Sequence, residues 1–235
     1  MTEELFKSDA YLKRCEARVT VADERGIQLD RTVFYAMGGG QPGDTGKLLL
    51  DNGAEIPVAD TRRERESGAL LHVPAEGSDL PAVGSRVTAE IDWPRRHRLM
   101  RMHTAMHLLC SVVDGGVTGG SVGVDRSRLD FDLPESPDKP ALEAEINRII
   151  AEDHPVSIGA ISDAELEANP ELVRTMSVRP PSGAGEVRTI RVEGVDYQPC
   201  GGTHVASTAE IGRIRIGKVE KKGRQNRRIN IHLEE

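Results

Sequence analysis

The pattern of hydrophobic and polar residues changes character near Asp92. Before that residue, apolar and polar positions alternate over short runs separated by turn sequences such as Asp51-Asn52-Gly53. Alternation of this kind is typical of strands with one buried face. The strands predicted in this way are Cys15–Asp23, Ile27–Asp30, Thr32–Ala36, Lys47–Leu50, Glu55–Ala59, Leu70–Val73 and Ser85–Ile91. We therefore predict a small β-barrel domain over residues 1–92.

After Asp92, apolar residues recur at steps of three and four. Asp92 is a good N-cap, Pro94 suits a first helical turn, and Gly115-Gly116 ends the pattern, so a long helix is predicted. A second helix is predicted over 140–150, and Ser162 and Glu165 fit a capping box. Strands are predicted at Ser121–Leu133, Glu186–Val195, Ile211–Val219 and Arg228–Leu233. This mixture predicts an α+β domain over 93–235 that contains an antiparallel C-terminal hairpin.

Charge is distributed unevenly along the chain. The 235 residues carry 31 Lys and Arg against 38 Asp and Glu, a net charge of −7 that by itself argues against a nucleic-acid partner. Basic residues nevertheless form two clusters. The first contains Arg95, Arg96, Arg98 and Arg101, and the second, over 213–228, includes Lys221, Lys222 and Arg224. Two interpretations stay open, namely solvated faces or a partner that carries phosphate.

Cysteine usage and hydropathy indicate the cellular compartment of the protein. Three cysteines make a poor disulfide framework for a chain of 235 residues. No apolar run approaches the roughly 18 residues of a membrane span, and the N-terminus lacks the layout of a secretory signal. We expect a cytoplasmic protein without a membrane partner. The oligomeric state stays open, with a monomer as the preferred expectation.

Two short motifs contain residues that bind metals. His103 and His107 lie one helical turn apart, so both imidazoles share a face of the predicted helix. Two such histidines can also be satisfied by hydrogen bonds in a core. Cys200-Gly201-Gly202-Thr203-His204 changes this weighing, because a thiolate and an imidazole across a Gly-Gly turn can close around one cation. Cys200 plus three histidines predicts tetrahedral zinc, one ion per chain. The other four histidines have no partner at ligand spacing.

A glycine-rich segment precedes the predicted Lys47–Leu50 strand. Gly38-Gly39-Gly40-Gln41-Pro42-Gly43-Asp44 lacks the Gly-Lys-Ser/Thr ending of a phosphate loop, which excludes that kind of nucleotide site. The segment is either a plain hairpin connection or a surface whose backbone N–H groups face a ligand.

These motifs together resemble the AlaX proteins, free-standing relatives of the editing domain of alanyl-tRNA synthetase. The resemblance covers Phe34–Gly46, His103–Leu109, Gly119–Asp132, Asp196–Val205 and Glu210–Lys218, and the length matches the medium form. It implies a zinc-dependent hydrolase that deacylates mischarged alanine-specific tRNA, removing serine and, in some members, glycine.

The resemblance also implies roles for individual residues. His103, His107, Cys200 and His204 match the zinc ligands, and Thr118 matches a polar position of the substrate site. Gly38, Gly39 and Gly40 match a motif proposed to shape the serine pocket, and we expect Gln41 and Thr104 beside them in substrate binding. We expect backbone N–H groups of Gly201 and Gly202 to meet the oxyanion, with Thr118, Gly201 and Gly202 as the catalytic set.

Several alternatives stay open at this point. The zinc ion could activate a water or only position the substrate. The tRNA would lie over the two basic clusters, through phosphate contacts more than base stacking. Rival functions are the editing of another mischarged tRNA, such as seryl-tRNA specific for threonine, and a zinc-containing RNA-binding module without catalysis.

Overall fold

The computed structural model describes residues 2–176 and 185–234. The chain divides into two compact units, Met1–Arg98 and Leu99–Glu235. The strands of the first unit are β1 (Glu3–Glu4), β2 (Arg14–Asp23), β3 (Gly26–Leu29), β4 (Arg31–Thr32), β5 (Gly46–Leu50), β6 (Glu55–Arg63), β7 (Leu70–Pro74) and β8 (Arg86–Ile91). A single 3-10 turn, Leu5–Lys7, follows β1.

The first unit contains a closed six-stranded barrel in the order β2-β3-β7-β6-β5-β8, which confirms the predicted barrel. Its neighbouring strands pair antiparallel, whereas the short β1 and β4 pair parallel to each other outside it. Alternation of polar and apolar residues turns one set of side chains inward. Ile27, Leu29, Phe34 and Leu48 are fully buried in the resulting core.

The strand predicted over Thr32–Ala36 is wrong, because the observed strand β4 already ends at Thr32. The residues that follow are buried, but side chains replace the strand partners of their backbone. The N–H of Phe34 donates to Thr32 Oγ1 at 3.0 Å, and the N–H of Tyr35 donates to Asp44 Oδ2 at 2.6 Å. Hydrophobicity without a neighbouring strand therefore gives a buried loop here.

Asp44 anchors that loop and in turn binds Arg96. Arg96 is fully buried, its Nε donates to both carboxylate oxygens of Asp44 at 3.0 and 2.9 Å, and an Nη group also contacts that carboxylate. The other guanidinium N–H groups donate to the carbonyl oxygens of Ala10 and Val33. Arg96 thus joins three separate segments of the first unit.

Helix α1 (Trp93–Val112) crosses the point at which the chain divides. The other helices are α2 (Lys139–Ala151) and α3 (Asp163–Ala168), with 3-10 turns at Pro170–Leu172 and Thr208–Ile211. The strands of the second unit are β9 (Val117–Ser121), β10 (Ser127–Asp132), β11 (Val156–Ser162), β12 (Glu186–Val192), β13 (Asp196–Pro199), β14 (Ile214–Gly223) and β15 (Asn226–Leu233). Within the described residues, no helix is both long and apolar enough to span a membrane.

Two antiparallel sheets form the second unit. One has the order β14-β15-β10-β9 and the other β11-β12-β13. The predicted C-terminal hairpin is confirmed by the pairing of β14 with β15. Two details differ from the prediction. The strand predicted to begin at Ile211 begins at Ile214, because residues 208–211 form a 3-10 turn. The exposed strand β11 was not predicted. Exposure removes the alternation from which such a strand is recognised.

Candidate metal centre

Helix α1 presents the first two predicted ligands. His103 and His107 are separated by one turn, and their ring centroids lie 5.5 Å apart. Both imidazoles are buried, as are the residues between them. The helix therefore fixes the spacing of these two rings before any other part of the site is added.

The loop after β13 presents the other two. Cys200 opens the loop and His204 follows across the two glycines. Arg188 on β12 holds this loop in place, because its Nη1 donates to the carbonyl oxygens of Cys200 at 2.7 Å and of Gly202 at 2.9 Å.

The four side chains converge on one point. His103, His107, Cys200 and His204 each offer one ligand atom, and these atoms all lie within 4.8 Å of one another. The Sγ of Cys200 lies 3.2 Å from Nε2 of His204 and 3.6 Å from Nε2 of His103. Tetrahedral zinc with bonds of about 2.0–2.3 Å needs ligand atoms separated by about 3.3–3.8 Å. The donor set and these two separations therefore fit a metal ion of the zinc type.

Hydrogen bonds select which nitrogen of each ring faces the group. Thr104 Oγ1 donates to the carbonyl oxygen of Met100 at 2.9 Å and so accepts from Nδ1 of His204 at 3.1 Å. The Nδ1 of His107 donates to Asp196 Oδ2 at 2.9 Å. Both rings then direct Nε2 toward the other ligands.

Thr104, which was predicted in the substrate site, contacts the candidate metal centre from within α1. Its side chain is fully buried, and its hydroxyl also accepts from the N–H of Val205 at 3.3 Å. The hydroxyl therefore supports His204 and the loop, and it has no surface that a substrate could contact.

Electrostatics favour a cation in this group. Burial raises the pKa of the Cys200 thiol, but His103 and His204 lower it more, so that it lies well below its usual value. Burial, reinforced by the charge of His103, lowers the pKa of His204 to about 3. Burial also lowers the pKa of His107, yet hydrogen bonds to Asp196 and Cys200 raise it to about 10. A thiolate and a neutral imidazole are the forms that bind metals.

The two glycines of the loop, both predicted to face the oxyanion, differ in their surroundings. The N–H of Gly202 donates to Cys200 Sγ at 3.4 Å, so it supports the thiolate and is not aimed at an oxyanion. Gly201 is exposed, and nothing lies within 4 Å of where its Cβ would be. Of the two glycines, only Gly201 presents its backbone to open space.

Thr118 lies at an irregularity of β9. The register moves from the Asp130–Gly119 pair to the Phe131–Val117 pair, which leaves Thr118 without an opposite residue. Its hydroxyl donates to the carbonyl oxygen of Asp130 at 3.1 Å. Such a bulge re-aims a side chain. Gly120 on the same strand lies close to helix α1. A Cβ atom on Gly120 would be 3.4 Å from the methyl group of Met106, the residue before His107.

The glycine-rich segment forms a tight turn in the first unit. Gly38 and Gln41 exchange backbone hydrogen bonds of 3.1 and 2.9 Å. Gly39 and Gly40 have φ of 55° and 82°, a conformation that glycine adopts at no steric cost. Gln41 is fully buried, and its predicted contact with substrate stays a prediction.

The predicted phosphate-binding residues differ widely in exposure. Arg96 is a correction, because a fully buried guanidinium with its N–H groups engaged cannot reach a phosphate. Arg95 donates to the carbonyl oxygen of Gly43 at 2.8 Å, Arg101 donates to that of Ile211 at 2.8 Å, and both are half-buried, as is Arg98. The three predicted residues of the hairpin are exposed, and one of them, Lys222, pairs with Glu220. These three are Lys221, Lys222 and Arg224.

Sequence reasoning assigned no role to three residues that support the centre. Asp196 contacts His107, Gln198 donates to Asp196, and Arg188 holds the loop. Asp196 and Gln198 alternate directly before Cys200, and this proximity was their only signal. Arg188 had none, because an arginine in a strand is not unusual.

Two protein-family models match the chain. The model described as "Threonyl and Alanyl tRNA synthetase second additional domain" matches residues 187–230, which include Cys200 and His204. The model described as "tRNA synthetases class II (A)" matches residues 6–95. The chain is thus a protein of the class that shares its domains with alanyl- and threonyl-tRNA synthetases.

Relatives of full length identify the family. The alanyl-tRNA editing protein AlaX-M of Methanosarcina acetivorans is 40% identical over 99% of each chain. AlaX-M of Saccharolobus solfataricus is 35% identical over 97% of this chain and 98% of the relative. The chain belongs to the AlaX family of alanyl-tRNA editing proteins, as the sequence predicted. The alanine–tRNA ligase of Pyrobaculum calidifontis is 36% identical over 94% of this chain, which corresponds to 25% of the ligase.

Proposed function

We propose that this chain is a trans-editing hydrolase that cleaves the ester bond of mischarged alanine-specific tRNA. Seryl-tRNA is the main substrate, and glycyl-tRNA is the second. The observation that carries the proposal is the convergence of His103 and His107 with Cys200 and His204 in a chain whose full-length relatives are named alanyl-tRNA editing proteins. Mischarged tRNA is the expected partner, and the cytoplasm is the expected location.

Zinc is the metal that suits this donor set best. Three imidazole nitrogens and one thiolate sulfur form a combination of the kind found in tetrahedral zinc sites. When bound, zinc would supply a fixed positive charge that orients the polar groups of the aminoacyl ester. Four protein ligands favour this positional role over the activation of water.

Residues of the chain itself would read the amino acid. The Thr118 hydroxyl donates to the Asp130 carbonyl, and a hydroxyl oxygen can accept a hydrogen bond from the hydroxyl of a bound serine. A site that pairs with a hydroxyl discriminates well against alanine, because alanine leaves the polar group unmatched. The exposed backbone of Gly201 is the candidate donor to the carbonyl oxygen of the ester.

The glycine turn Gly38–Gly40 keeps its expected role in substrate binding as part of this proposal. The turn is held at its base by the buried Gln41, and its outer residues carry no side chains. Domain boundaries near residue 92 stay part of this proposal, with the barrel over 1–92 and the editing domain over 93–235.

A panel of aminoacylated tRNAs tests the proposal. Deacylation of seryl- and glycyl-tRNA specific for alanine should be fast, whereas correctly charged alanyl-tRNA and seryl-tRNA specific for threonine should be stable. His107→Ala should abolish turnover and lower zinc content, and His154→Ala is the control because His154 lies in a connection outside the ligand group. Zinc binding without deacylation of any tRNA would favour an RNA-binding module, and cleavage of the threonine-specific substrate alone would favour the other rival.

A further inference from the structure

Asp196 is a buried carboxylate whose surroundings are unusual for an acid. Its side chain is 1% exposed. Its Oδ2 accepts from Nδ1 of His107 at 2.9 Å and from Nε2 of Gln198 at 2.8 Å. Among the described residues, its Oδ1 has no hydrogen-bond partner. A buried ionised group is costly unless a charge nearby compensates it.

We propose that Asp196 is a positioning residue of the metal centre, which aims His107 and supplies one of the centre's two negative charges. The inference rests on the proposed metal site. No role in proton transfer or in contact with the substrate is assigned to it.

The hydrogen bond explains the aiming. An imidazole that donates from Nδ1 keeps the lone pair on Nε2, and the ring plane is fixed by the acceptor. Gln198 donates to the same oxygen of Asp196, so the carboxylate itself is held in one orientation. His107 is thereby held by side chains of β13 as well as by α1.

Charge explains why the acceptor is a carboxylate. A divalent cation bound by three neutral imidazoles and the Cys200 thiolate leaves one uncompensated positive charge in a buried place. The carboxylate of Asp196, one hydrogen bond away from a ligand, brings the sum to zero. His204 differs in this respect, because its Nδ1 donates to the neutral Thr104 hydroxyl.

Two substitutions at Asp196 separate charge from orientation. Both hydrogen bonds end on Oδ2, so Asp196→Asn can keep both by placing its amide oxygen there. It removes the charge and places an amide NH2 group at the Oδ1 position, which has no partner among the described residues. Asp196→Ala removes the charge and the acceptor. Zinc dissociation constants of the full chain would be measured by competition with a chromophoric chelator. We expect affinity about 10-fold weaker for Asn and about 100-fold weaker for Ala, the range reported for outer partners of metal ligands.

Controls make the outcomes distinct. Asp130→Asn also removes a buried carboxylate, one that pairs with Arg128 and Arg228, and should leave zinc affinity unchanged. Circular dichroism checks the fold, and the visible spectrum of the Co²⁺-loaded protein should change for the Asp196 variants alone. If Asp196→Ala fails to fold, the isosteric Asn variant carries the test.

The possible results point to different errors. A parent chain that binds no zinc would remove the proposed metal centre itself. A parent that binds zinc, together with Asn and Ala variants of the same affinity and Co²⁺ spectrum, would overturn the role of Asp196. Weakening by Ala without weakening by Asn would overturn the charge balance and support the aiming of His107.

Discussion

Replacing Arg96 tests whether this arginine is part of the core or of a tRNA-binding surface. Arg96→Met keeps much of the length and volume of the side chain but removes all of its donors. The Asp44 carboxylate, which is 1% exposed, then keeps one hydrogen-bond donor among the described residues, the backbone N–H of Tyr35. The carbonyl oxygens of Ala10 and Val33 each lose a donor.

The magnitude follows from what stays buried. Removing one member of a buried, hydrogen-bonded ion pair costs about 3–5 kcal/mol, because the other charge is left without compensation. Two carbonyl oxygens that lose their donors add to this cost. A domain has a free energy of unfolding of about 5–15 kcal/mol, so Arg96→Met should lose a large part of it. Arg96→Lys should also be destabilising, because a single ammonium cannot reproduce the planar fork.

Urea unfolding followed by tryptophan fluorescence is the suitable assay. Trp93 is the only tryptophan of the chain and packs against the barrel core, so its signal follows the first unit. Arg86→Met is the matched control, because Arg86 pairs with Asp51 and both are about two-thirds exposed. Exposed pairs contribute about 0–1 kcal/mol. A loss below about 1 kcal/mol for Arg96→Met, similar to the control, would refute a structural role for the buried pair.

Three further predictions concern function and pH. Thr118→Val should lower deacylation of seryl-tRNA by about one to two powers of ten, at a cost of about 1–3 kcal/mol for an unmatched hydroxyl, and leave glycyl-tRNA unchanged; equal losses would mean that Thr118 does not read serine. Neutralising the exposed Lys221, Lys222 and Arg224 together should weaken tRNA binding and flatten its salt dependence, with zinc content intact; an unchanged slope would place the tRNA elsewhere. Burial lowers the pKa of His72 to about 4, so below pH 6.5 the unfolded chain binds a proton that the folded barrel does not. Stability of the first unit should therefore fall by up to about 3 kcal/mol between pH 6.5 and 4 and stay flat above 6.5, and His72→Gln should remove this dependence in unfolding measured against pH.

Strands and helices with one buried face could be predicted from sequence, because burial of one face makes apolar residues recur at a fixed spacing. The barrel strands alternate, and α1 shows its three- and four-residue steps between Asp92 and Gly115. The group of four side chains that could hold a metal ion could be predicted for a related reason. His103 and His107 are fixed by helical spacing, and Cys200 and His204 are rare residues on a short glycine loop.

Residues whose environment depends on distant segments could not be predicted. Arg96 occurs in a basic cluster, and its sequence neighbours predict a surface residue. The fold instead places Asp44 beside it, 52 positions away. Thr104 lies between two metal ligands, and only the position of His204 shows that its hydroxyl faces inward. In both cases the role of the side chain depends on its partner, and that partner is distant in the sequence.

The same distinction applies to the metal centre as a whole. Its ligands come from two short motifs, but the direction of their lone pairs depends on Asp196, Thr104 and Arg188, which contact them or their loop from other elements. A chain could retain all four ligands and lose these supports, and its motifs would look unchanged. Affinity for the metal should then weaken in that chain, because free rotation of each imidazole costs conformational entropy on binding. Ligand motifs alone therefore indicate a candidate site of this kind, while the supporting residues would determine how well it binds a metal ion.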